Sequence, residues 1–112
     1  MTSDSGHGVS HIIAGTGFDG RDEIIREHCR DGARLRFKRE PSNPYDEYAV
    51  AVWMETPGFF GTRWKEIGFV KASRNKKLAR KLDAGEEIIG RVKNFYAPPE
   101  RDFPRVTIEV FY

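Results

Sequence analysis

Apolar and polar residues alternate along this chain in short runs punctuated by glycine and proline, and that rhythm predicts strands more often than helices. Ser10 to Ala14 reads as a first strand closing on Gly15, followed by the turn-rich GTGFDGRDE. A helix is expected from Arg21 or Asp22 to Arg30. Ile24, Ile25, His28 and Cys29 form one stripe on it, Asp22 and Glu23 suit its positive N-terminal end, and Asp31-Gly32 stops it. From Ala33 to Lys38, Leu35 and Phe37 alternate with Arg34, Arg36 and Lys38, which is a half-solvated strand. AVAVWM (Ala49 to Met54) predicts a central strand, ETPGFFGTRWKE a hairpin-like excursion, and IGFV (Ile67 to Val70) another strand.

Ser73 is the expected N-cap of a second helix, with Leu78 and Leu82 one turn apart and Ala84-Gly85 at its end. IIGRVKNF and RVTIEVFY are the last strands, joined by the proline-bearing YAPPERDFP. The order is β-α-β-β-β-α-β-β. Six strands and two small helices predict a mainly β (α+β) fold: a small OB/SH3-like barrel, closed or nearly so. One domain over residues 10–112 is expected, preceded by a leader, 1–9, with neither the basic nor the apolar segment of a signal peptide.

At 112 residues, with 38% apolar and 32% charged, the chain suits a soluble domain with one modest core, and it has no apolar run of transmembrane length. A lone cysteine, Cys29, forms no internal disulfide and suits a reducing, cytoplasmic setting as a core-facing thiol. Net charge is only +2, yet it is unevenly spread. Between Arg21 and Glu47 seven basic residues cancel seven acidic ones, whereas Lys71 to Lys93 carries eight basic against three acidic. Such a localised excess attracts phosphates without making the whole protein polycationic.

Phosphate-binding glycine loops, HExxH and GxSxG are all missing, so nucleotide hydrolysis, dinucleotide chemistry and serine-type hydrolysis have no visible machinery. His7 and His11 have helical metal-ligand spacing but sit in a glycine-containing leader with no third ligand, which reads as solvated histidines. Glu40, Asp46 and Glu47 are the only carboxylates that a Mg²⁺-dependent nuclease reading has to work with. Aromatic residues give a stronger signal: Phe18, Tyr45, Tyr48, Phe59, Phe60, Trp64, Phe95, Tyr96 and Phe103 lie in or beside turn-rich segments. Rings beside a basic stripe suit single-stranded nucleic acid, since bases stack on the rings while Lys and Arg meet the phosphates. The alternative is aromatics that close the ends of a small barrel, or that serve a protein-interaction adaptor.

GTGFDGR (Gly15 to Arg21), LRFKREPSNPYDEYAVAV (Leu35 to Val52) and IGFVKASRNKKLARKLDAGE (Ile67 to Glu86) together resemble the HIRAN domain, over about Ser10 to Tyr112. The resemblance implies an OB-like barrel that binds DNA without catalysis or cofactor, and a pocket for the 3′-hydroxyl end of a single strand. It implies that Tyr45 and Asp46 of NPYD hold that end and that Lys71 lies near the bound backbone. Phe18, Arg21, Arg39, Asn43, Arg74, Lys77, Arg91 and Phe95 complete the expected DNA contacts. It also suggests a helicase or nuclease as partner protein, in DNA repair or at replication forks, and no membrane. Where fork-remodelling members carry Arg-Tyr in the first loop, this chain has Gly17-Phe18. Asn43 and Asp46 also have a purely structural use, capping their own turn.

Overall fold

A computed structural model describes residues 8–112. The elements are β1 (Val9–Ala14), α1 (Arg21–His28), β2 (Arg34–Arg39), β3 (Val50–Gly58), β4 (Gly61–Val70), a short 3₁₀ turn (Ala72–Arg74), α2 (Lys76–Asp83), β5 (Ile89–Tyr96) and β6 (Arg105–Phe111). All six strands pair antiparallel in the order β1-β4-β3-β2-β5-β6, and β6 returns to β1, so the barrel is closed and has no free sheet edge. The expected mainly β barrel with two short helices is the observed one.

Alternation builds the core as expected. Val50, Val52 and Met54 of β3 and Val106, Ile108 and Val110 of β6 point inward and are fully buried. Ile25 of α1 and Leu78 of α2 join the same cluster, which is why such short helices hold their places. Burying each such side chain contributes about 1.5–3 kcal/mol.

One local expectation is sharpened and two are corrected. The hairpin expected from Glu55 to Glu66 is present, but it extends the two strands instead of leaving them: β3 and β4 stay paired out to Gly58↔Gly61 and turn through Phe59-Phe60 alone. Ser73 falls inside the 3₁₀ turn, and Asn75 precedes α2, its side chain bonded to Asp46 and not to the helix end. α1 ends at His28, since Cys29 is already extended with ψ 137°.

His7 lies outside the described residues. His11 is no solvated leader residue: it sits in β1 opposite Ile108 and is buried, its Nε2 3.5 Å from the Tyr112 hydroxyl. Burial, and then the nearby Arg74 charge, hold its pKa below the ordinary 6.5. The unfolded chain therefore takes the proton first, so the stability due to neutral His11 is full above pH 6.5 and drains away as pH falls below it. The melting temperature should be flat from about pH 8 to 7 and decline from about 6.5 downward, less steeply in His11→Gln; parallel slopes in a pH series of thermal melts would refute this. Cys29 is half-buried against the core, and burial, reinforced by Asp31, pushes its thiol up to about 12, which leaves it inert at neutral pH. Among the described residues no helix is long and apolar enough to cross a membrane.

Candidate nucleic-acid interface

The loop between β2 and β3 is braced by several side-chain and backbone hydrogen bonds. Two prolines, Pro41 and Pro44, restrict its backbone. Asn43 accepts a bond from the Tyr45 N–H through Oδ1 at 2.9 Å, and Asp46 accepts one from the Tyr48 N–H at 2.9 Å. These are the side-chain turns that the residue types favour. Arg39 clamps the loop from beneath, donating to the Ala49 and Glu47 carbonyls at 2.8 and 2.9 Å and to Asp83 at 2.9 Å. Its charge is thereby committed to the scaffold.

The second Asp46 oxygen accepts from the Asn75 side-chain amide at 2.6 Å, and Asn75 is only 1% exposed. That bond ties the loop to the start of α2. Asp46 therefore has the structural role its turn predicts, yet each carboxylate oxygen keeps a second lone pair for another donor.

Held this way, the loop forms one wall of an open cavity of ≈ 670 Å³. Tyr45, 95% exposed, and Phe18, 69% exposed, both present rings to it, and Asn43 and Asp46 line it with them. Asp19 and Arg21, 3.9 Å apart at their charged ends, line it as well, while Ala14, Phe69 and Val70 from β1 and β4 supply its apolar part. Arg21 brings little free charge: its guanidinium pairs with Glu66, donates to the Gly15 carbonyl at 3.1 Å and lies 5.2 Å from the Phe69 ring centroid. The cavity is therefore aromatic and acidic.

A second cleft of ≈ 350 Å³ shares Ala14 and Gly15 with the first and has the opposite character. Lys71, Arg101 and Arg105 line it, with Phe103. None of these three cations has a carboxylate partner among the described residues. The segment from Ala97 to Pro104 is fixed from outside. Arg26 donates to the Ala97, Pro98 and Arg101 carbonyls, and the buried Thr16 hydroxyl donates to the Pro104 carbonyl at 2.6 Å. Arg101 and Arg105 are site candidates that the sequence pattern does not reveal, because they lie outside the basic run from Lys71 to Lys93. Their only signal was proximity to Phe103 in a loop rich in prolines.

Among the expected contacts, Phe18, Arg21, Asn43, Tyr45 and Asp46 meet at one cavity and Lys71 stands in the adjoining cleft. The others lie elsewhere. Arg74 is close enough to act on His11 and Tyr112, and Lys77 sits 5.2 Å from the Tyr112 ring centroid. Arg91 is paired with Glu109 at 3.1 Å across β5 and β6, beside a separate hollow, and Phe95 packs against the core. Among the described residues no three His, Cys, Asp or Glu side chains are grouped to hold a metal ion, and Asp46 is engaged with Tyr48 and Asn75 away from any such set.

A model of the HIRAN domain matches residues 6–110. Among proteins with curated descriptions none matches the chain. Two crystal structures share its fold. One is a Lactobacillus plantarum protein, 17% identical, with a TM-score of 0.66 over 95% of this chain and 96% of that one. The other is the HIRAN domain of human HLTF, 19% identical, with a TM-score of 0.59 over 94% of this chain and 74% of that one.

Proposed function

The chain belongs to the HIRAN domain family, and from that membership and the shape of its cavity we propose that it is a non-catalytic DNA-binding module that receives the 3′-hydroxyl end of a single strand. The observation that carries this reading is the junction of an aromatic, acidic cavity with a cationic cleft. Phe18 and Tyr45 offer rings for the terminal nucleoside. Asp46 accepts a hydrogen bond from a terminal hydroxyl and, with Asp19, repels a terminal phosphate. The next phosphates fall in the cleft, where Lys71, Arg101 and Arg105 meet them, so affinity is salt-dependent.

Gly17 explains how this chain departs from relatives with an arginine in the first loop. A Cβ at Gly17 would lie 2.9 Å from the Phe103 Cβ, so Phe103 occupies the room that a larger residue would need. In this reading Arg101 of the β5–β6 connection and Arg105 at the start of β6 supply the missing phosphate-binding charge. Such a module serves to place a partner enzyme, a helicase or nuclease, on DNA under repair or at a fork.

Matched oligonucleotides ending in 3′-hydroxyl or 3′-phosphate test the reading directly. The hydroxyl form should bind about tenfold more tightly, the weight of one charge-assisted hydrogen bond plus avoided repulsion. Equal affinities would remove end capture and leave general DNA binding. No binding of either at low salt would favour a protein-interaction adaptor, and one feature fits that alternative: Phe59 and Phe60, 87% and 93% exposed, pack edge-to-face at the tip of the β3–β4 hairpin, at the far end of β4 from the cavity.

A further inference from the structure

The outer face of the β2–β3–β4 sheet carries a second aromatic and cationic surface that shares no residue with the end-binding cavity. Arg34, Arg36 and Lys38 alternate outward along β2, while Leu35 and Phe37 pack inward. Arg34 is paired with Glu55 at 3.5 Å, but neither Arg36 nor Lys38 has a carboxylate partner among the described residues. Instead the Arg36 guanidinium carbon stands 4.1 Å from the Trp64 ring centroid and the Lys38 Nζ 5.9 Å from that of Trp53. These four side chains, with the strand backbone at Phe37 between Arg36 and Lys38, line an open hollow of ≈ 330 Å³. Glu66, the acidic residue opposite Trp53 in the register, is occupied by Arg21, so it leaves the hollow's positive charge uncompensated.

The geometry points to a second contact surface for single-stranded nucleic acid, one that needs neither a strand end nor a particular sequence. A guanidinium held over an indole ring leaves its far side open to a base, and planar cations of this kind stack on bases, while Lys38 meets a neighbouring phosphate. An acidic peptide matches the charge but makes no use of the aromatic rings or of the guanidinium's open side, because a carboxylate takes the guanidinium edge-on. DNA is therefore the better-fitting occupant. This surface would hold the body of a strand whether or not its end is captured elsewhere.

Both tryptophans of the chain, Trp53 and Trp64, lie in this hollow, so intrinsic tryptophan fluorescence reports from it alone. The full chain is titrated at low salt with circular single-stranded DNA, which has no end for the other cavity. Quenching is expected. In the double variant R36E/K38E the midpoint should rise at least about fivefold. Its thermal melt and its preference for 3′-hydroxyl over 3′-phosphate in short oligonucleotides should stay as in the parent. Binding of circular DNA without a fluorescence change would overturn the proposal, as would an unaltered midpoint in the double variant. Quenching by poly-glutamate but not by DNA would overturn it too, in favour of a protein partner. A lost hydroxyl preference with intact quenching would count only against the end-binding cavity.

Discussion

Gly68→Ala is expected to destabilise the barrel by about 3–5 kcal/mol, lowering its melting temperature by more than about 10 °C. Gly68 has φ +153°, a conformation that costs an L-residue about 1–3 kcal/mol. A Cβ there would also strike the Ile13 Cγ2 and come within 2.5 Å of the Ala14 carbonyl oxygen. Both struck groups belong to β1, and the β1–β4 seam registers only at Ile13↔Val70 and Ala14↔Phe69. The added methyl therefore wedges open one of the two shortest seams of the barrel, the other being β2–β5. Gly85→Ala separates the two causes: its φ is +85° but open space surrounds it, so it should cost only about 1 kcal/mol. Paired thermal and denaturant melts decide the matter, and similar losses for the two variants would show that strain, not the close strand approach, sets the cost. Ala14, Phe69 and Val70 also line the cavity, so any Gly68→Ala protein that folds should bind a DNA end more weakly.

That seam marks where reading the residues in order stops being enough. Val50, Val52 and Met54, and Val106, Ile108 and Val110, were legible as core because a strand's period of two needs only neighbours in sequence. The NPYD turn was legible too, since asparagine and aspartate carry their own turn-forming bonds. Other features depend on segments far apart in the chain. Asn75 gives up its capping position because Asp46, 29 residues earlier, offers a charged acceptor. Arg21 and Arg39 read as free cations in a charge count, yet Glu66 and Asp83 claim them in the fold. Conversely, Arg101 and Arg105 look unremarkable in sequence and become a cationic wall only when Arg26 and Thr16 draw their loop beside Lys71. A charge run locates cations, and only tertiary pairing decides which of them remain available.

Asp46→Asn should remove most of the roughly tenfold preference for a 3′-hydroxyl end while leaving the fold almost as stable as before. The asparagine keeps an oxygen for the Tyr48 N–H, now bonded at 2.9 Å. Its amide would face the Asn75 amide, donor against donor, unless Asn75 turns its own side chain over and presents Oδ1. Asn75 makes no side-chain bond to the end of α2, so that turn breaks no helix cap. The stability cost should stay below about 1 kcal/mol. Asp46→Ala has no such escape: it leaves the Asn75 amide buried and unpaired, with an expected loss of about 1–3 kcal/mol. The two variants thus separate Asp46 as a brace from Asp46 as a recognition group. In Asp46→Asn the carboxylate that accepts from a hydroxyl is gone and only Asp19 is left to repel a phosphate, while Tyr45 and Phe18 keep their places, so 3′-hydroxyl and 3′-phosphate oligonucleotides should bind within about two- to threefold of each other. If Asp46→Asn instead keeps the hydroxyl preference, the carboxylate does not read the strand end, and the bonds from Tyr48 and Asn75 are its whole purpose.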